Sequence, residues 1–422
     1  MVFVLYLAYA LSFVDRQILT LMVDPIRRDL QISDTQFSLL HGLAFALFYT
    51  FLGIPIGRLA DQFNRVRIIS IGIVTWSLMT AACGLARSYT LLFMARMGVG
   101  VGEAALSPAA FSMFADLFTK ERLPRAISTY SMGIATGNGL ALLLGGYVVA
   151  YASSLGAVSL PIVGPLQPWQ IVFVLIGLAG MPLAFVVLRL REPERLGVVN
   201  AKASLAQVGA FIWARKRLFF TFLPGVSFAT ALGHGVLGWG PAYFMRTYEW
   251  TAAEVGLRYG FGVLFGGIAG FFFGGWLTEV LQRRGRDDAP LLAAMTGIAL
   301  CLPLGIAAPL APDAATAVVL FTLLQFAYHM PWGVVGAAIQ LVAPNEMRAQ
   351  LSALYLFSIN IIGLGFGPTF VALLNDRVYG GGAGVGPSLA TAAAVLAPIA
   401  VALLVSALSS YRTAVRQARA WS

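Results

Sequence analysis

Charge is scarce in this chain: Lys, Arg, Asp and Glu together make up 11% of its 422 residues. A soluble domain carries about 25%, so an ordinary water-facing surface is excluded. Cysteine is scarcer still. Cys83 and Cys301 stand far apart in apolar runs, where a thiol acts as a small apolar side chain and not as part of a disulfide framework. There are 3 histidines, and no Cys/His spacing suits a metal. Nor is there a GxSxG elbow, an HExxH pair or a Walker loop, the arrangements that hydrolases, zinc proteases and nucleotide-driven enzymes need. The glycine run Gly98-Val99-Gly100-Val101-Gly102 lies within an apolar stretch with no βαβ pattern after it, so it reads as helix packing. An enzyme is therefore not expected, and neither is a metal or a cofactor. A cleavable leader is not expected either: Ala8-Tyr9-Ala10 imitates a cleavage site, but no cationic segment precedes it.

Apolar residues take the place of the missing charge. They make up 59% of the chain, and the mean hydropathy is +0.82. Runs of about 20 residues, long enough to cross a hydrocarbon core, recur along the whole length. The reading is an all-α membrane protein with twelve spans, at 1–23, 35–58, 66–87, 89–117, 121–150, 168–190, 217–245, 251–280, 289–310, 313–343, 347–376 and 386–411. With the N-terminus placed in the cytoplasm, twenty cations fall on the inner side, among them Arg58, Arg65, Arg125, Arg191 and Arg348. Six fall outside, and Arg16 and Arg96 stay within spans. That asymmetry is the positive-inside rule, and it predicts that both termini are cytoplasmic. The net charge of +10 thus reports orientation in a bilayer. It does not report a nucleic-acid partner.

An internal repeat divides the chain. Gly57-Arg58-Leu59-Ala60-Asp61, followed by Arg65, joins the second and third spans. Gly275-Trp276-Leu277-Thr278-Glu279, followed by Arg283, stands 218 residues later between the eighth and ninth. Arg125-Ala126 is echoed by Arg348-Ala349 at a similar offset. Two halves of six spans follow, 1–190 and 217–422, with 191–216 as a polar cytoplasmic linker. A second long connection, about 151–167, is an uncharged outer loop.

Charges inside spans are expensive, roughly 2.5–3.5 kcal/mol each on insertion scales, so they point to function. The first span holds Asp15 and Arg16, and the fourth holds Arg96 and Glu103. Asp15 and Arg96 fall at similar depths below the outer surface, so they can meet. Arg96 and Glu103 lie two turns apart and look into one space. Adjacent residues point about 100° apart, so Asp15 and Arg16 face different partners. In the second half, His234, Trp239, Tyr328, His329 and Trp332 fall on the seventh and tenth spans as candidates for a cavity wall, with Phe228 and Phe326 beside them. The two histidines read first as hydrogen-bonded packing residues. Gly133, Gly137, Gly139, Gly145 and Gly146 predict close packing of the fifth span, and Gly363, Gly365, Gly367 and Pro368 a bent eleventh.

The helix count, the central linker and the paired loops together resemble the major facilitator superfamily. The resemblance implies that superfamily's fold, two six-helix halves that expose a central site to either side in turn. It also implies an inner-gate loop, carried here by Gly57, Asp61 and Arg65 and by the weaker copy at Gly275, Glu279 and Arg283. Gly57 is expected to permit close helix approach, while Asp61 and Arg65 pair with charges on neighbouring helices. Asn64 departs from the family, which often has glycine there.

Three further segments are similar to the spinster branch of lipid transporters. They are Ser12-Phe13-Val14-Asp15-Arg16-Gln17, Ser33-Asp34-Thr35-Gln36, and Arg96 through Ala104 with Pro108. The likeness implies a proton-coupled secondary transporter of a lysophospholipid- or sphingosine-phosphate-like amphiphile. Asp15, Arg16, Arg96 and Glu103 would serve proton coupling and the headgroup, with Asp15 as the proton-responsive switch. A monomer in a bacterial inner membrane is expected, with lipid, protons and the bilayer as its partners. The alternative is an exporter or antiporter of another small organic anion, a sugar phosphate or a drug.

Overall fold

The structure is a computed structural model that describes residues 1–119, 122–161, 164–195, 204–344 and 347–418. The side chains of Ile54, Asp61, Pro124, Leu160 and Ala349 lie outside the described set. Spans 1 to 6 occupy Val2–Leu30, Asp34–His41 continuing as Leu43–Gln62, Arg65–Cys83, Tyr89–Glu103 continuing as Leu106–Leu117, Leu123–Ser131 continuing as Gly133–Leu155, and Pro168–Leu188. Spans 7 to 12 occupy Lys216–Thr247, Ala252–Arg283, Ala289–Leu310, Ala314–Val342, Gln350–Arg377 and Gly382–Ala418. Among the described residues, 11 helices are long and apolar enough to cross a membrane. The remaining one, span 4, is interrupted between its two pieces and carries Arg96 and Glu103. The end of the bundle that carries the linker is called the linker face here, and the other the opposite face.

Span 1 runs past the apolar window that predicted it, and polar caps fix the starts of other spans. Span 1 continues to Leu30 and so takes Arg27 and Arg28 onto the helix. Ser33 and Gln36 close a capping box before span 2, Thr251 and Glu254 do so before span 8, and the Asp313 carboxylate accepts the Thr316 amide before span 10. Each cap satisfies amides that have no intrahelical partner. The connection near 151–167 contains a short antiparallel pair, Val158–Leu160 with Gly164–Leu166.

One part of the linker is unlike its prediction as a polar connection. Leu205–Ala214 is an apolar helix that begins on a Ser204–Gln207 capping box. Its ten residues are too few to span, so they did not register beside longer apolar runs. Residues 196–203 of the linker lie outside the described residues.

Close packing of span 5 follows from its glycines. A Cβ on Gly137 would stand 2.3 Å from the Ala10 carbonyl oxygen of span 1, and one on Gly146 2.5 Å from that of Ala252 in span 8. Span 5 therefore presses its backbone on both halves at once, on different sides. At the opposite face the halves are fastened by charge. Arg246 at the end of span 7 donates to Asp24 (Nη2 to Oδ1, 2.7 Å) and to Asp34 (Nη1 to Oδ2, 2.8 Å). Asp34 also takes Arg27 at 2.9 Å and the Asn375 amide at 2.5 Å, and Asp376 accepts the Thr35 hydroxyl at 2.7 Å. Among the described residues, the ion pairs that join the two halves all lie at this face.

Candidate functional site

The helical backbone is irregular around the four predicted charges. Span 1 tightens to a 3₁₀ stretch over Ile18–Met22, just beyond Asp15 and Arg16. Span 2 breaks at Gly42, and span 4 breaks just after Glu103. Span 11 widens to a π-helix over Ile359–Phe366, within the stretch whose glycines point to a flexible or bent segment. Two of these breaks meet: a Cβ on Gly42 would lie 2.4 Å from the Leu364 carbonyl oxygen. Such interruptions are typical of functional segments.

Arg16 and Glu103 form an ion pair, with Nε donating to Oε2 at 2.7 Å. The guanidinium lies over the rings of Phe45, Phe13 and Tyr49, at 4.1, 4.5 and 5.0 Å from their centroids. Stacking spreads the cation over aromatic faces where water is excluded. Asp15 is buried, and its Oδ2 accepts the Thr80 hydroxyl at 3.4 Å. Arg96 does reach Asp15, as the depth argument predicted, but its Nη1 donates to the backbone carbonyl at 3.4 Å. Asp15 and Arg16 thus face different partners.

What distinguishes the group is its unfilled valence. Asp15 Oδ1, Arg96 Nε and Nη2, and Glu103 Oε1 are buried with no hydrogen-bond partner among the described residues. Open donors and acceptors at membrane depth are costly. They suit a site that takes up a ligand, water or a proton. Thr80 had no sequence signal beyond being a hydroxyl within a span.

The second-half candidates separate. Tyr328 and Trp332 line a small cleft with Thr230, Cys301, Val335 and Tyr355, an aromatic and largely apolar wall. The His234 Nδ1 lies 3.0 Å from the Thr230 carbonyl oxygen and 3.2 Å from the Tyr328 hydroxyl. A carbonyl only accepts, so Nδ1 carries the proton and Nε2 is the acceptor nitrogen. His329 spends its Nδ1 on the Gln325 carbonyl at 2.8 Å and is buried between helices. Trp239 is not on the cleft. It is buried against Phe37, its indole donates to the Pro368 carbonyl at 2.9 Å, and Arg246 lies over its ring. It belongs to the seal at the opposite face.

The gate loop divides in the same way. Arg65 is buried, is ion-paired with Asp116, donates to Glu192 at 3.0 Å, and gives its Nη2 to the Pro193 carbonyl at 2.8 Å. Neighbouring charges do pair with it, Asp116 from the first half and Glu192 from the start of the linker. The Asp61 side chain lies outside the described residues. Glu279 and Arg283 are exposed, and no ion pair joins them among the described residues. Gly57 is a correction: a Cβ there would meet only Pro108 at an ordinary 3.7 Å, and one on Gly275 would meet nothing within 4 Å. Neither glycine marks a close approach in this conformation.

Comparison with known proteins accords with this geometry. The family model described as Major Facilitator Superfamily matches residues 5–368. The chain is 30% identical over 382 residues to an MFS-type efflux pump of Mycolicibacterium smegmatis, covering 89% of this chain and 84% of that one. It is 24% identical to the sphingosine-1-phosphate transporter SPNS2 of Danio rerio, over 87% of this chain and 74% of that one. Among solved structures, a bacterial homolog of the human lysosomal transporter Spinster, inward-facing and unoccupied, superposes with a TM-score of 0.77 and 29% identity. That match covers 100% of this chain and 98% of the other. The chain belongs to the major facilitator superfamily.

Proposed function

We propose that this transporter, spinster-like within its superfamily, carries a single-chain amphiphile with a phosphate-bearing head, and that protons drive it. The observation that carries the proposal is the buried set of open valences on Asp15, Arg96 and Glu103. Arginine presents parallel N–H donors that suit phosphate, and Arg96 has two donors to offer. The aromatic cleft at Tyr328 and Trp332 supplies an apolar wall for a chain. Asp15 takes and releases the coupled proton, and Arg16 with Glu103 holds the headgroup side of the cavity. The name of the zebrafish relative supports a lipid phosphate as the substrate class.

Residues 1–190 and 217–422 act as two bodies that rock about the site, with 191–216 as their tether. The linker face is cytoplasmic, as the cation count predicts, and the membrane is a bacterial inner membrane. The seal around Arg246 then closes the outer side, which agrees with the likeness to an inward-facing relative. A single chain is the transporting unit.

Proteoliposomes test this reading. With a proton gradient imposed, addition of lysophosphatidylglycerol is expected to change the rate of internal pH change, and glucose 6-phosphate is not. Asp15→Asn is expected to abolish the lysolipid-dependent proton movement while lysolipid binding stays within about threefold. The relative named as an efflux pump favours the second reading, export of another organic anion or drug. Proton movement with the sugar phosphate and none with lysolipid would establish that reading instead.

A further inference from the structure

The linker helix Leu205–Ala214 has two apolar faces, and the protein uses one of them. Val208 and Phe211 are buried, and Phe211 packs edge-on against Phe219 of span 7 with centroids 5.9 Å apart. On another side, Leu205, Ala206, Gly209, Ala210 and Trp213 are all exposed, at the i, i+1, i+4, i+5, i+8 spacing of a helical stripe. Leu205 is 81% and Trp213 67% exposed, and a Cβ on Gly209 would meet nothing within 4 Å. No charged residue interrupts the helix.

Two observations say what covers that stripe. The helix runs with one residue between into the Lys216–Thr247 span, so its C-terminal end is pinned where the chain enters the bilayer. Its last turn leads into Arg215-Lys216-Arg217, and Lys216 Nζ lies 5.3 Å from the Trp213 ring centroid. Aromatic and cation are therefore held together at the depth where tryptophan and lysine favour the headgroup boundary. Beside them a polar groove is lined by Arg215, Ser409, Ser410, Thr413 and Gln417.

We infer that Leu205–Ala214 lies in the leaflet interface at the linker face, with its free apolar stripe in the acyl boundary and Lys216 and Arg217 on anionic phospholipid headgroups. An apolar helix in the interface plane gains from buried area and from attraction to anionic lipid together, and each juxtamembrane cation adds to that attraction. The helix then ties the tether between the two halves to the lipid surface. Lipid charge becomes an input to the protein.

The full chain in nanodiscs provides the test. Nitroxides at Ala206→Cys and Ala210→Cys, with the unlabelled parent as background for Cys83 and Cys301, report collisions with oxygen and with a water-soluble nickel chelate. Both sites are expected to favour oxygen over nickel by at least threefold. Replacing a third of the phosphatidylcholine with phosphatidylglycerol is expected to raise that ratio further. Lys216→Gln with Arg217→Gln is expected to erase the lipid-charge dependence and keep the preference for oxygen. Nickel favoured at both sites would place the stripe in water and overturn the inference. Protection from both reagents, with dipolar broadening that vanishes on dilution with unlabelled chains, would overturn it in favour of a second copy of the chain.

Discussion

Asp288 stands at the start of span 9, outside the membrane-spanning segments, and is buried between Arg286 of the preceding loop and Arg412 of span 12. It accepts from Arg286 Nε at 3.0 Å and from Arg412 Nε at 2.6 Å. Burial alone pushes its carboxyl up, but the two hydrogen-bonded guanidinium groups outweigh it and hold the carboxyl below its ordinary range. A carboxyl depressed in the folded state adds stability that is complete above its unfolded pKa and is lost as pH falls through the folded one. The ties from span 9 to span 12 should therefore weaken only in acid. Both arginines are partly exposed, so the contribution is about 1 kcal/mol or less. The expected outcome is that Asp288→Asn lowers the melting temperature in detergent near pH 7 and narrows its gap to the parent as pH falls below about 4. A gap constant from pH 7 to 3 would remove Asp288 from the account. Arg65 makes the companion case at residue scale: Asp116, Glu192 and the Pro193 carbonyl fill its donors. The open donors of Arg96 stand in contrast, and the proposed role of Arg96 at the headgroup rests on that difference.

Spans 1, 2, 7 and 11 meet at the opposite face, where Arg246 is the common partner of Asp24 and Asp34. Removing it takes several charge-assisted hydrogen bonds from an interface that the proposed cycle must open. Loss of about 2 kcal/mol, the scale of one such bond, shifts a two-state ratio roughly thirtyfold. Arg246→Ala is expected to populate forms open at this face, seen as a longer distance between spin labels on the 31–33 and 379–381 turns. Distances that keep the parent distribution would mean that apolar contacts such as Phe37 on Trp239 close the face without help. This seal was barely legible in the sequence. Arg246 counted only as one cation in a connection, and nothing in a one-dimensional reading brings residue 24 to residue 246. The span count, by contrast, was legible because each apolar run must satisfy its own backbone in lipid. Asp15, Arg16, Arg96 and Glu103 stood out because charge at that depth is rare. Their pairing was not legible: it depends on helix rotation, which set Arg16 on Glu103 and turned Arg96 to a carbonyl. Trp239 misled for the same reason, since a tryptophan on the correct span does not reveal whether it faces a cavity or a seal.

At the scale of the whole molecule the two halves are chemically unequal. The first brings Asp15, Arg16, Arg96 and Glu103 to membrane depth, and the second brings His234, Tyr328, Trp332 and an apolar cleft. A small polar anion such as a sugar phosphate would gain from the first wall alone. An amphiphile gains from both, and the gain from the second must grow with chain length. Apolar burial contributes up to about 0.8 kcal/mol per CH₂, or roughly fourfold in Kd for each added carbon. Growth stops when the cleft is full, because further methylenes remain in the detergent or bilayer and exchange one apolar environment for another. Titration of the purified protein with lysophosphatidylglycerols of increasing chain length is therefore expected to give a log Kd that falls steadily and then levels. Trp332→Ala should flatten the slope and leave the shortest member of the series unaffected, since that member relies on the charged wall. Arg96→Gln should weaken all members by a similar factor and leave the slope intact. An affinity independent of chain length in the parent would leave the second wall without a role in binding, and the substrate would then be sought among small organic anions.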